Sequence, residues 1–267
     1  MPDEREGMPG LTSILIPVLN QLPLLRAALA SLERCTPQPY EVVVVDNGSR
    51  PEVREYLAGQ PVRVVVNPCN RGFAAAVNQA VAAARGGTLV LLNSDVQVTP
   101  GWLAELRAAL ALPGAGLVGP LTNNCSGCQR IPVDYQRTGG PDGVARVLAE
   151  LRFGAVREVD RLVGFCLAFT RATAAAVGPW DERFGVGNFE DDDYCLRARL
   201  LGLRCLVVES AFVHHEGGAT FRAERVDFQE LMNRNRELFV GKWRDPELAL
   251  LPSLLRRLEA ERARQAA

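Results

Sequence analysis

Short β-branched apolar runs that alternate with helix-like stretches constrain this chain more than any other feature. Residues 11–17 (LTSILIP) precede a helical pattern over 22–32, and 41–45 (EVVVV) stops abruptly at Asp46-Asn47-Gly48-Ser49. A proline suited to a first helical turn opens 51–58, and the alternation continues through a strand at 62–66, a helix at 73–84, a strand at 88–92 and a helix at 100–110. Runs this short and apolar are strands covered on both faces, with the intervening helices as crossovers. The expected fold class is α/β, a sandwich with a mostly parallel central sheet flanked by helices. Ligands of such sheets sit beyond the carboxyl ends of the strands, where Asp46, Asn47, Asn93 and Asp95 all fall.

Downstream the pattern weakens. Residues 122–160 carry turn signals at Asn123-Asn124, Gly139-Gly140-Pro141 and Asp142-Gly143, so a long surface excursion with one helix near 144–151 is expected. Strands at 162–170 and 205–208, helices at 190–201 and 228–239, and an amphipathic arginine-rich stretch at 250–264 complete the reading. No internal repeat and no clean domain boundary interrupts it.

Composition excludes whole classes of partner. Thirty Lys and Arg stand against 31 Asp and Glu, a formal charge of -1, which gives no footprint for nucleic acid or anionic membrane. Lys242 is the one lysine, which disfavours Schiff-base chemistry. No run approaches the roughly 20 apolar residues of a bilayer span. The charged start, MPDEREGMPG, lacks the apolar segment of a secretory signal, and seven cysteines without a tight framework read as reduced thiols, so a cytoplasmic location is expected. Cys125 and Cys128 have no second pair to complete a zinc site and read as incidental loop thiols. The arginines of 250–264 are offset by Glu259 and Glu261, so a solvated helix packed on the domain is expected there, with membrane contact as the competing reading.

Five clusters carry chemistry. Asp46-Asn47-Gly48-Ser49 is either a simple turn or a ligand loop. Asn70-Arg71-Gly72-Phe73 opens a helix, where free N–H groups suit a phosphate as well as a plain cap. Asn93-Ser94-Asp95 is a short acidic turn that suits a hard divalent cation, although one carboxylate needs further ligands. Glu190, Asp191, Asp192 and Asp193 crowd one helix start, more carboxylates than capping needs. Arg197 lies one turn from Asp193 and can neutralise it, leaving Asp191 free to act as a general base. His214 and His215 are the only histidines; on extended backbone they point to opposite faces, so at most one meets a shared metal. Histidine with carboxylate and phosphate oxygens suits manganese.

In order along the chain, SILIPVLN (13–20), EVVVVDNGS (41–49), NRGFAAAVNQA (70–80), LVLLNSDVQVTPGWL (89–103), VGFCLAF (163–169), GPWDERFGVGNFEDDDYCLR (178–197) and VHHEGGATF (213–221) resemble family-2 glycosyltransferases, in particular their bacterial rhamnosyltransferase-like branch. The resemblance spans about residues 11–243. It implies a glycosyltransferase A-type sandwich: a flexible N-terminus at 1–10, one domain at 11–243 with a nucleotide-binding half (11–120) and an acceptor-binding half (121–243), and a helical extension at 244–267. It implies an inverting transfer of a sugar from a nucleoside-diphosphate sugar to a hydroxyl of a saccharide, lipid-linked or other acceptor, in polysaccharide or glycoconjugate synthesis. A peripheral position at the inner face of the membrane is compatible with that role.

The same resemblance assigns residues. Pro17 and Asn20 would line the nucleotide pocket, Asp46 would read the base or ribose, and Asn70, Gly72, Phe73 and Asn78 would shape the donor pocket. Asn93 and Ser94 would lead to Asp95, which holds a divalent cation (Mn2+ or Mg2+), with Asn standing where the family motif more often has its first Asp. His215 fits the family's metal histidine better than His214. Asp191 would be the catalytic base, supported by Glu190, Asp193 and Arg197, while Gly164, Trp180, Asp181 and Glu182 would border the acceptor. Two rivals are a sugar nucleotidyltransferase, whose glycine- and lysine-bearing loop is missing, and a degenerate transferase kept as a sugar- or nucleotide-binding protein. A dinucleotide oxidoreductase lacks its G-x-G-x-x-G.

Overall fold

The valine run in EVVVV forms a strand because β-branched side chains fit a pleated surface packed on both sides. Its alternation assigns the faces: Val42 and Val44 join Ile14, Ile16, Val90 and Leu92 on one side, and Val43 and Val45 join Leu15, Leu89 and Leu91 on the other. The computed structural model describes residues 7–218, 224, 227–247 and 249–250. The amphipathic stretch at 250–264 therefore lies almost wholly outside the described residues.

The elements run β1 (Met8–Val18), α1 (Leu22–Cys35), β2 (Tyr40–Asp46), α2 (Pro51–Ala58), β3 (Arg63–Val66), α3 (Phe73–Ala83), β4 (Gly86–Leu92), β5 (Val96–Val98), α4 (Trp102–Leu110) and β6 (Ala115–Thr122). They continue with α5 (Tyr135–Thr138), α6 (Pro141–Leu151), β7 (Val156–Val159), β8 (Cys166–Thr170), α7 (Arg171–Val177), a 3-10 turn at Glu182–Phe184, α8 (Glu190–Leu200), β9 (Arg204–His215) and α9 (Phe228–Lys242). The sheet has the order β3-β2-β1-β4-β8-β6-β9-β5, with β7 on β9. Strands β3, β2, β1, β4, β6 and β9 share one direction, while β8 runs against both its neighbours. Helices α1 and α4 pack on one face, and α3 and α8 on the other. The mostly parallel α/β sandwich expected from the sequence is the fold observed.

Three boundaries differ from the expectation. Strand β1 begins at Met8, whose N–H donates to the carbonyl of Arg85 at 2.7 Å, so residues 8–10 of the segment expected to be flexible belong to the strand. The strand expected over 162–170 begins at Cys166, because the backbone of 162–165 is spent on other partners described below. The helix-rich excursion at 122–160 is preceded by a strand, β6, that its glycines and proline conceal in the sequence.

Candidate active site

The carboxyl ends of β1, β2 and β4 form one edge of the site. Asp46, wholly buried at the end of β2, accepts from the Ser49 N–H at 2.8 Å and from Arg54 Nε at 2.7 Å. Each of its oxygens thus holds one protein donor, and this carboxylate fixes the turn. Its neighbour Asn47 is the knot of the region. Its amide donates to Asn70 Oδ1 at 2.8 Å and to the Gly72 carbonyl at 3.1 Å, while its oxygen accepts from Asn67 and from the Arg71 N–H, each at 3.0 Å. Asn20, with left-handed backbone, closes the rim: its N–H donates to Ser49 Oγ at 2.8 Å and its amide to Glu224 at 2.6 Å. Pro17 is buried in β1 beside Val45.

Gly72 is required by a backbone, not by a ligand. Its φ is +91°, and a Cβ there would sit 2.4 Å from the Gly185 carbonyl oxygen. That carbonyl accepts the Phe73 N–H at 2.8 Å, tying the start of α3 to the turn before α8. Asn78 likewise departs from the donor pocket assigned to it. Its amide is spent on the Trp180 backbone, accepting at 2.8 Å and donating at 3.0 Å, and on Glu182 at 3.0 Å.

At the end of β4, Asp95 and His215 face one another, Oδ1 to Nε2, at 3.3 Å. His215 Nδ1 lies 2.6 Å from the Asn124 carbonyl, which can only accept, so the ring proton is on Nδ1 and Nε2 presents a lone pair. Nε2 is buried and has no hydrogen-bond partner. Two acceptors aimed at one point, with the histidine tautomer fixed from behind, fit a divalent cation. Among the described residues no group of three or more His, Cys, Asp or Glu gathers, so substrate oxygens and water must complete the shell. The alternation expected of the strand holds: His214 points away and its Nδ1 meets Tyr135 Oη at 2.6 Å. Ser94 is buried beside this pair in sequence, and the Asn93 N–H donates to the Phe165 carbonyl at 2.9 Å.

Phe165 joins the two acidic clusters. Its ring stacks on His215 with centroids 5.2 Å apart, and the preceding N–H, of Gly164, donates to Asp191 Oδ2 at 2.9 Å. A Cβ on Gly164 would lie 3.4 Å from the Asp191 side chain, a contact at the tight edge of ordinary packing. The Asp192 N–H holds the other Asp191 oxygen at 2.9 Å. Burial, then the charge of Asp192, pushes the Asp191 carboxyl up to about 6, opposed by the Gly164 bond and by Arg161.

The crowding of four carboxylates is relieved one by one. Asp193, wholly buried, pairs with Arg197 Nε at 2.9 Å and Lys242 Nζ at 2.6 Å and accepts from Trp243 Nε1 at 3.1 Å. Asp192 pairs with Arg161 at 3.0 Å. Glu190 is buried with Oε2 unpartnered, and burial followed by the Asp191 charge pushes its carboxyl well up. Asp191 is held by backbone N–H groups.

The expected acceptor border is placed differently. Trp180 is 2% exposed and stacks on Tyr194 at 4.3 Å, because so large an apolar ring gains most under α8. Asp181 is held by Arg183 at 2.6 Å and Lys242 at 2.8 Å, which hold its carboxyl below the usual range against the opposing effect of burial. Phe165, Asn123, Asn124 and Arg161 belong to the site although the motifs did not single them out as site residues. Asn123 grips the His215 backbone from both sides, accepting at 2.8 Å and donating at 3.1 Å.

Known proteins share this plan. The chain is 29% identical to an N-acetylglucosaminyl-diphospho-decaprenol L-rhamnosyltransferase of Mycobacterium tuberculosis (strain ATCC 25618 / H37Rv), over 91% of this chain and 92% of that protein. It is also 29% identical to the uncharacterized protein y4gI of Sinorhizobium fredii over 91% of its own length, but spans only 28% of that relative. GalNAc-T7, solved with UDP, GalNAc and Mn2+, superposes with a TM-score of 0.66 at 19% identity, over 88% of this chain and 48% of the other. The mannosyltransferase PcManGT from Pyrobaculum calidifontis, solved with GDP-Man and Mn2+, gives 0.58 at 19%, over 95% and 75%. These two carry the glycosyltransferase A-type fold. Among the described residues no helix is long and apolar enough to cross a membrane. With the model of Glycosyl transferase family 2 matching residues 13–173, more than half of its length, this chain belongs to that family.

Proposed function

We propose that the chain transfers a sugar from a nucleoside-diphosphate sugar to an acceptor hydroxyl by a single inverting displacement, with Asp191 as the base. The observation that carries this is the Asp191 carboxylate itself: buried, fixed by two backbone N–H groups, poised at about 6, and one residue's backbone away from the ring that covers His215. A base near neutrality balances the ionised fraction against proton affinity. Asp191 takes the proton of the acceptor hydroxyl as its oxygen bonds to the anomeric carbon, and the bond to the nucleoside diphosphate breaks with its electron pair on the leaving phosphate.

Asp95 and His215 would hold a divalent cation, Mn2+ or Mg2+, which supplies charge compensation for the departing diphosphate. Asn47, Asn70 and Asn20 frame the nucleotide side, with Asp46 as the buried brace beneath them. A bacterial glycoconjugate role with a lipid-linked acceptor follows the rhamnosyltransferase relative, which is named for N-acetylglucosaminyl-diphospho-decaprenol.

The test is a donor screen. UDP-, dTDP- and GDP-sugars are each scored by thermal shift with and without Mn2+, and the product of the best donor is read by NMR for anomeric configuration. Metal-dependent stabilisation by one nucleotide class and an inverted anomer are expected. A retained anomer, or no stabilisation by any nucleotide sugar, would overturn the reading.

A further inference from the structure

Helix α9 carries four residues at i, i+4, i+7 and i+8, namely Asn235, Phe239, Lys242 and Trp243, and all four reach the entrance of α8. One face of a helix is therefore devoted to one target. Asn235 is wholly buried, and its amide is shared among the carbonyls of Phe184 at 2.8 Å, Gly187 at 2.9 Å and Asn188 at 3.0 Å. Those carbonyls belong to the turn in which Asn188 and Phe189 both take a φ of 72°, a left-handed backbone that asparagine tolerates but phenylalanine adopts only when surroundings enforce it. Phe189, the last residue before α8, packs on Phe239 with centroids 5.7 Å apart. Beyond Asp191, Lys242 bridges Asp181 and Asp193, and Trp243 holds the same Asp193.

Asp191 thus lies between two points, Phe189 and Asp193, that α9 holds. The helix itself does little else for the core, since Leu231 and Asn235 are its buried residues and one of these is polar. We propose that α9 is a strut that sets the orientation of the Asp191 carboxylate, with Asn235 and Lys242 as positioning residues. The single lysine of an arginine-rich chain has a reason here: a compact ammonium fits between two carboxylates 2.6 Å and 2.8 Å away, where a planar guanidinium must find a different geometry. The inference rests on Asp191 being the base, and its test separates the two claims.

Lys242→Met, Lys242→Arg and Asn235→Ala are compared with the unaltered chain well below their melting temperatures. The expected result is a kcat lowered by about tenfold or more in Lys242→Met and Asn235→Ala, the scale of a misplaced catalytic group. Nucleotide affinity by calorimetry stays within about twofold, and Lys242→Arg, which keeps the charge but not the compact geometry, falls between Lys242→Met and the unaltered chain. Hydrogen exchange over residues 187–195 quickens in the two impaired variants. A lowered melting temperature with kcat unchanged would make α9 merely structural and overturn the strut. If Asp191→Asn retains transfer while Lys242→Met still loses rate and loosens 187–195, the base assignment fails and with it any action through Asp191, and α9 is left as a brace of the 187–195 segment.

Discussion

His215 Nε2 and Asp95 Oδ1 face each other at 3.3 Å as two acceptors, because the histidine's proton is committed to the Asn124 carbonyl on its far side. Nε2 has no hydrogen-bond partner, so replacing the facing acceptor by a donor has effects of opposite sign on stability and on binding. Asp95→Asn puts an N–H donor opposite Nε2. It is expected to stabilise the ligand-free chain by about 1 kcal/mol while weakening Mn2+-dependent nucleotide binding by at least about tenfold. Paired thermal melts and calorimetry, with and without Mn2+, check both signs; unchanged metal-dependent affinity would remove Asp95 from the cation site.

Asp191→Asn keeps the size of the side chain and loses its basicity. Transfer should fall by about 10²–10⁴-fold, the usual worth of a positioned base, with nucleotide binding preserved. In the unaltered chain the base works only when ionised, so kcat should rise with pH through about 6 and then level off. A rate that is flat from pH 5 to 8, measured at saturating donor, would contradict the assignment.

Arg161 opposes the upward push on Asp191 and also pairs with Asp192 at 3.0 Å. Arg161→Gln removes a positive charge and leaves the Asp192 charge uncompensated, and both changes favour the protonated form of Asp191. The acidic limb of the rate profile should move to higher pH, by up to about one unit. A shift to lower pH, or none, would mean that Arg161 does not act on the base.

Gly72→Ala places a methyl 2.4 Å from the Gly185 oxygen at a φ of +91°. Strain of about 1–3 kcal/mol is expected from the backbone alone, with the Phe73–Gly185 hydrogen bond lost in addition. Chemical denaturation should register a loss of about 3 kcal/mol in all. A near-neutral substitution would mean that the Gly72–Gly185 contact yields easily.

The strands with unbroken β-branched runs were legible because both their faces are apolar, and the acidic start of α8 was legible too, since four carboxylates exceed what a cap needs. Strand β6 was not. Its Gly119 and Pro120 read as punctuation, yet a Cβ at Gly119 would meet Gln129 Nε2 at 2.7 Å and the Cys166 carbonyl at 3.1 Å, and Pro120 falls beside a register shift against β9. Glycine there makes room for a buried amide; it does not end the strand. Residues that act through backbone atoms were equally hidden. Asn124 fixes the His215 tautomer from 91 positions away with its carbonyl, a group every residue has, so no side-chain pattern can announce it. Trp180 and Asn78 differ in the opposite way: their side chains drew attention, but the Asn78 amide is spent on the Trp180 backbone and the Trp180 ring on Tyr194.

Strand β8 hydrogen-bonds to β4 on one side and to β6 on the other. The segments before and after residue 120 consequently share one continuous floor, and a clamshell motion between them would have to unzip a central ladder. Under the proposed function, loops and the substrates themselves would shut out water from above, and the ladder would hold the strand ends that carry Asp95 and His215 in register with the segment that holds Asp191. Acceptors would then be selected by what fits over that gap, which makes the segments roofing it the place to alter specificity.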